Sequence, residues 1–239
     1  QYPSRRDPFE TLSVIDAGDC FFEYERLSHA PGEIEEQARQ ILGAGAHLMT
    51  LGGDHFVTLP LLRAHADRFG PLALVQFDAH QDTWDDDGTK MSHGTFVTRA
   101  VREGLIDVAR SIQVGVRTVA PQDYGLEILD ADLCHALGPG GMAARIKARV
   151  GPGPAYLSFD IDVLDPAFAP GTGTPVAGGL SSAQALSTIW ECRELDWRGM
   201  DVVEVCPAYD HGEITAIAAA SVAQRYLQAL AGRLRPRSA

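Results

Sequence analysis

The stretch that decides the fold is Leu72-Ala73-Leu74-Val75-Gln76-Phe77-Asp78-Ala79-His80-Gln81-Asp82. Its apolar first half reads as a strand buried on both faces, the pattern of a parallel sheet in an α/β protein. Open sheets of that kind bind their ligands beyond the carboxyl ends of the strands, and this strand ends in acids. Asp78, His80 and Asp82 alternate, so an extended backbone turns all three side chains to one face. Two carboxylates and an imidazole brought together in this way repel and desolvate one another unless a cation lies between them. A helix cap or a solvated loop could account for one such cluster. A second, Ser158-Phe159-Asp160-Ile161-Asp162, closes the apolar run Ala155-Tyr156-Leu157 with alternate acids again. Two copies of the design point to metal.

Outward from this centre, apolar runs predict strands at 11–16, 47–51, 111–117 and 199–205. Helical periodicity and Gly/Pro boundaries predict helices at 31–44, 57–69, 94–105, 142–150, 181–195 and 213–230. Residues 121–133 have no clear period and accommodate a short helix and a strand. The Pro- and Gly-bearing loop 163–179 is longer than structureless loops usually run, which marks it as functional. Strands alternating with helices give an α/β fold, a mostly parallel sheet wrapped on both faces in three α/β/α layers. No repeat or linker divides the 239 residues, so a single domain over 1–239 is expected.

A formal charge of −12 argues against nucleic acid and anionic membrane surfaces as partners and favours a cationic substrate or a metal. No stretch has the length and apolarity of a membrane span, and no leader pattern is evident, so a cytoplasmic location is expected. Cys20, Cys134, Cys192 and Cys206 are scattered without a CxxC pair and read as reduced thiols.

The residues at strand ends are His55, Asp78, His80, Asp82, Asp160 and Asp162. One divalent ion takes about four to six ligands, so a single site leaves several acids idle. Two ions bridged by two carboxylates use all six, and their charge balances the four acids. Oxygen-rich ligands with some nitrogen suit Mn²⁺ without excluding Zn²⁺, Co²⁺, Ni²⁺ or Fe²⁺. Two cations ~3.5–4 Å apart activate a shared water, so the set predicts a binuclear metal hydrolase. His29, His47, His65, His135 and His211 have no motif around them, although His211 stays open through its nearness to the site in sequence.

The sequence resembles the ureohydrolases, the arginase–agmatinase superfamily. The resemblance rests on Gly52-Gly53-Asp54-His55, Asp78-Ala79-His80-Gln81-Asp82 and Ser158 to Pro166. It continues through Ala169-Pro170-Gly171-Thr172-Gly173-Thr174-Pro175 and Asp201-Val202-Val203-Glu204-Val205. It runs from about Arg5 to the final helix and is closest to the agmatinases in His93-Gly94-Thr95, Glu103 to Asp107 and Pro207-Ala208-Tyr209-Asp210. It implies an arginase–deacetylase-like fold, two Mn²⁺ per chain, a small cationic guanidino substrate and a homotrimer or homohexamer. It further implies that Asp78 and Asp160 bridge the ions, with His55 and Asp82 completing one site and His80 and Asp162 the other. His93 matches the proton-shuttling histidine, and a loop position beside the ligands suits that work. Glu204 matches the acid that holds the guanidinium. Inside the apolar 202–205 run it is otherwise a costly buried charge, or one held by an arginine.

The same resemblance leads one to expect further residues ahead of the first, including a strand of the sheet. The substrate's far end would lie near loop 83–88. Between Asp82 and His93 the chain offers Trp84, Asp85, Asp86 and Asp87 with Lys90 as the sole cation, an acidic rim that suits a dication. Trp84 is a candidate cation–π partner for its ammonium. Agmatine hydrolysis to putrescine and urea is therefore expected. The alternatives are guanidinobutyrate, guanidinopropionate, arginine or formiminoglutamate as substrate, or a one-metal deacetylase-like amide hydrolase.

Overall fold

The computed structural model describes residues 7–88 and 92–233. Six strands, β1 (Leu48–Leu51), β2 (Ala73–Phe77), β3 (Ile112–Val116), β4 (Glu127–Asp130), β5 (Pro154–Asp160) and β6 (Asp196–Val203), form one sheet. Its order is β1-β6-β5-β2-β3-β4 and every pairing is parallel. The helices are α1 (Ala30–Gly43), α2 (Thr58–Phe69), α3 (Phe96–Arg102), α4 (Ala131–Val150), α5 (Ser182–Glu191) and α6 (Ile214–Arg233).

Two apolar cores lie on opposite faces of the sheet, which makes three layers. Ala73, Val75 and Phe77 of β2 join Met142 and Ile146 of α4, Ile189 of α5 and Val222 and Tyr226 of α6. Leu72 and Leu74 point the other way, into a core with Leu42 of α1, Leu59 and Leu62 of α2 and Phe96 of α3. This period of two divides the continuous apolar run between both cores. Each large side chain so buried contributes about 1.5–3 kcal/mol, and Leu74→Ala would cost about 2–5 kcal/mol.

From β2 the chain steps outward through β3 to β4, then returns to build β5 and β6 on the other side. The β2–β5 junction is thus the switch point, where a crevice opens past the carboxyl ends. Both acid clusters sit there.

Three expectations change. Residues 11–16 form no strand: Val14 and Ile15 are exposed, no ladder among the described residues receives them, and Asp16 Oδ1 accepts the Gly18 N–H at 2.9 Å to close a turn. Alternation without a partner strand does not make a sheet. Helix α4 begins at Ala131, capped by Asp130 accepting from Leu133 N at 2.8 Å, and kinks at Gly138 before Pro139, so 142–150 is only its second half. Helix α5 stops at Glu191, short of 195, after a Ser181–Gln184 capping box at its start. Among the described residues no helix is long and apolar enough to cross a membrane.

Candidate active site

Four strand ends supply the site, each by a different local device. After β1, Gly52 and Gly53 take positive φ of 91° and 86°. A Cβ on Gly53 would lie 2.5 Å from Val57 Cγ1, so glycine is required there. Asp54 then caps the next turn by accepting Phe56 N–H at 3.1 Å, and His55 is driven inside with 1% exposure.

β2 ends at Phe77, and Asp82 takes a left-handed φ of 52°. The pleat therefore does not carry Asp78, His80 and Asp82 to one face, as simple alternation predicts. Loop bonds do so instead. Asp78 N–H donates to Val114 O at 3.0 Å, while Arg117 and Thr118 N–H both donate to Ala79 O at 2.8 and 3.0 Å. After β5, Asp160 Oδ1 accepts Asp162 N–H at 2.8 Å, and the resulting single turn brings Asp162 back beside Asp160.

His55 Nδ1 lies 2.9 Å from Asp78 Oδ2, 2.9 Å from Asp82 Oδ2 and 3.1 Å from Asp160 Oδ2. His80 Nδ1 lies 3.1 Å from Asp162 Oδ2 and 3.4 Å from Asp78 Oδ1. Two compact ligand groups result, His55/Asp78/Asp82 and Asp78/His80/Asp162. They share Asp78, which turns one oxygen to each imidazole. Asp160 adjoins the first group through His55 but belongs to neither compact set.

Burial pushes Asp82 up to about 7 with help from the Asp78 charge, and burial with Asp162 and Asp78 raises Asp160 well above the carboxylate range. Burial also pushes Asp78 upward, but the two imidazoles outweigh it and hold this carboxyl low. Against burial, the surrounding carboxylates raise His80 to about 10 and His55 well above the ordinary imidazole value. The cluster thus draws positive charge into the sheet end. Yet His55 Nδ1, wholly buried among three carboxylate oxygens, makes no well-directed hydrogen bond. A ring nitrogen set between carboxylates in this way is a place where a metal cation could stand in for the proton, and the donor set fits two hard divalent ions.

Glu204 and His93 stand beside this centre. Glu204 lies just past the end of β6 with φ of 64°, outside the strand rather than inside it. Among the described residues no arginine holds it: its Oε1 accepts His55 N–H at 2.8 Å and meets His93 Nδ1 at 3.0 Å. Bonding to Glu204 outweighs partial burial and raises His93, whereas His93 outweighs burial to lower Glu204. Each favours the charged form of the other.

A cavity of about 260 Å³ opens here, lined by His80, Asp82, Trp84, His93, Asp160 and Thr174 among others. The Trp84 ring lies 6.4 Å from that of His80. The acidic rim is smaller than the sequence suggests. Asp86 is clamped by the Arg99 guanidinium, and Arg102 Nη1 donates to its carbonyl at 2.6 Å, both from α3. Asp85 and Asp87 remain exposed, and Lys90 lies outside the described residues. None of His29, His47, His65, His135 or His211 joins either ligand group. His65 is a buried packing residue, and His211 is exposed with its N–H on Asp210.

The structure adds residues that sequence reasoning missed. Gln76 Nε2 donates to Asp78 Oδ2 at 2.7 Å, and Ser158 Oγ lies 2.8 Å from His55 Nε2. Thr174 Oγ1 donates to Asp162 Oδ2 at 3.2 Å. Arg117 Nη2 donates to the carbonyls of Asp162 and Val176 at 2.7 and 2.8 Å, tying the long loop to the turn that carries Asp162. The available signal was a polar residue two positions before an acid in an apolar strand, as in Gln76-Phe77-Asp78 and Ser158-Phe159-Asp160.

Comparison with known proteins agrees with this geometry. The model of the arginase family matches residues 1–228. An agmatinase of Chromobacterium violaceum is 53% identical over 224 residues, covering 93% of this chain and 70% of that protein. An agmatinase of Enterobacter sp. (strain 638) is 48% identical over 231 residues, covering 96% and 75%. Among solved structures, a hypothetical agmatinase from Burkholderia thailandensis superposes with a TM-score of 0.96 at 53% identity, over 98% of this chain and 75% of that one. The proclavaminate amidino hydrolase of Streptomyces clavuligerus superposes with a TM-score of 0.90 at 40% identity, over 95% and 78%. With the matched family model spanning most of its length and relatives near half identical, the chain belongs to the arginase family.

Proposed function

We propose that this chain is a binuclear-metal amidinohydrolase converting agmatine and water to putrescine and urea. The observation that carries the reading is the pair of ligand groups sharing Asp78 beside a small cavity that His80 and Asp82 help to line. Among the described residues, that cavity's lining includes no Lys or Arg. A guanidino acid would call for a cation or firm donors at its carboxylate, whereas agmatine carries ammonium at that end. The agmatinase names of the two bacterial relatives support the same substrate.

In this reading His55 and Asp82 would hold one ion, His80 and Asp162 the other, and Asp78 and Asp160 would supply carboxylates to both. The ions are Mn²⁺, two per chain, and when bound they supply Lewis acidity and an activated water. The residues do the rest. Glu204 turns Oε2 to the guanidinium, since both of its side-chain hydrogen bonds fall on Oε1. Trp84 flanks the alkyl chain and ammonium. The water oxygen bonds to the guanidino carbon, and the bond from that carbon to the alkyl-bearing nitrogen breaks. His93, whose protonated form its pairing with Glu204 favours, hands a proton to the departing amine. We further propose a single domain over 1–239, a cytoplasmic location and a homotrimer or homohexamer.

The test is urea release from agmatine, arginine, guanidinobutyrate and guanidinopropionate by Mn²⁺-loaded protein at matched pH. Agmatine should lead in kcat/KM by at least ~100-fold, or ~2.7 kcal/mol. A guanidino acid matching agmatine would overturn the substrate assignment.

A further inference from the structure

Beneath the metal ligands runs a row of polar side chains that take no direct part in the proposed reaction. Gln113, Gln76, Ser158, Asp201 and Thr50 are register neighbours across β3, β2, β5, β6 and β1. The first four are wholly buried. Buried polar groups in an otherwise apolar sheet must satisfy one another. Gln113 Nε2 donates to Gln76 Oε1 at 2.7 Å, and Gln76 donates onward to Asp78. On the other side the centre is Asp201. Its Oδ2 accepts the hydroxyls of Thr58 at 3.0 Å and Tyr156 at 2.9 Å, and its Oδ1 accepts that of Ser158 at 2.7 Å.

A serine hydroxyl has one proton to give. Ser158 gives it to Asp201, so it meets His55 Nε2 with a lone pair across their 2.8 Å contact. That ring nitrogen must then carry the proton. In a neutral imidazole the other nitrogen is bare, and here it is Nδ1, the atom facing Asp78, Asp82 and Asp160. We infer that Asp201 is a positioning residue that acts through Ser158 to fix His55 as its Nε2–H tautomer, holding Nδ1 open to a cation. The inference rests on the proposed two-ion site. It differs from a packing role because it makes Asp201 and Ser158 two links of one chain of bonds.

Equilibrium dialysis of Mn²⁺ against the full chain, with bound metal measured by mass spectrometry, tests it. Ser158→Ala and Asp201→Asn should each weaken Mn²⁺ binding by about 10–100-fold, the usual effect of losing a partner behind a metal ligand. An Asn amide facing Ser158 donates, which turns the serine proton toward His55 and drives the ring proton onto Nδ1. The double variant should bind no more weakly than the weaker single variant, because both act on one path. Thr50→Val is the control: Thr50 adjoins Asp201 in the row, yet its Oγ1 has no hydrogen-bond partner among the described residues, so binding should stay unchanged. Losses that multiply in the double variant, or wild-type binding by either single variant, would overturn the inference. Circular dichroism of each variant checks folding. Should Asp201→Asn fail to fold, ¹⁵N-histidine spectra of the Zn²⁺-loaded wild type decide directly: the His55 proton belongs on Nε2, and finding it on Nδ1 refutes the chain. Wild-type protein that binds no Mn²⁺ would instead overturn the two-ion reading, and the inference with it.

Discussion

Glu204→Gln removes one charge and almost no volume, so its effect isolates the contact that the charge makes. Both side-chain hydrogen bonds of Glu204 fall on Oε1, from the His55 amide and from His93, and among the described residues none reaches Oε2. A glutamine can keep its carbonyl oxygen on those two donors. Its NH₂ group then occupies the place of Oε2 and presents donors to the guanidinium, itself only a donor. A hydrogen bond to a charged group is worth about 1.5–3 kcal/mol. The Glu204 side chain is only 11% exposed, which favours the upper part of that range. The expected loss in kcat/KM is about 10- to 150-fold. Stability should change little, because the lost pairing with His93 is half exposed and worth under ~1 kcal/mol, or roughly 2–4 °C in a chain of this size. Urea-release kinetics on Mn²⁺-loaded protein, metal analysis and a thermal scan together read the outcome. A kcat/KM within twofold of wild type would refute the guanidinium contact. Loss of metal alongside activity would instead mean that Glu204 serves to prop His55 through its backbone amide.

Asp160→Ala should leave less than one equivalent of Mn²⁺ after desalting, if Asp160 has the bridging role proposed for it; retention of two equivalents would exclude that role. His93→Ala should keep both ions and lose about 10²–10⁴-fold in turnover, and a parallel fall in metal content would reassign it as a structural support. His65 gives a pH test away from the metals. Burial lowers it from 6.5 to about 4 in the folded chain, so the unfolded state binds more protons as pH falls through 6.5 and stability is lost from there toward 4. Relative to His65→Leu, wild type should lose about 2 kcal/mol between pH 8 and pH 5 in urea unfolding, and a constant difference would show that His65 titrates normally.

The fold class and the gathering of acids and imidazoles at the strand ends were legible in one dimension for a definite reason. A doubly covered parallel strand has to be a continuous apolar run, so Leu72 to Phe77 and Ala155 to Phe159 declare themselves, and acids directly after such runs have no cheap structural explanation. The turn glycines before His55 carry the same kind of local signal. Pattern without partner misled. Residues 11–16 alternate like a strand and find no ladder, while Asp82 and Glu204 leave the extended conformation at the point where extrapolation kept them in it. The acidic rim shrank because Arg99 and Arg102 reach Asp86 from α3, a helix that lies beyond the loop itself.

The sequence by itself determined which residues are chemically committed, because burying four acids and two imidazoles at strand ends is unfavourable unless something compensates it. Only the tertiary structure decided how they converge. Asp78 shares its oxygens between His55 and His80, Glu204 faces His93 across 111 residues of chain, and Asp201 reaches His55 through Ser158. Each of these depends on strand order and register. Those are set by packing between distant segments, and no local pattern of residues encodes them.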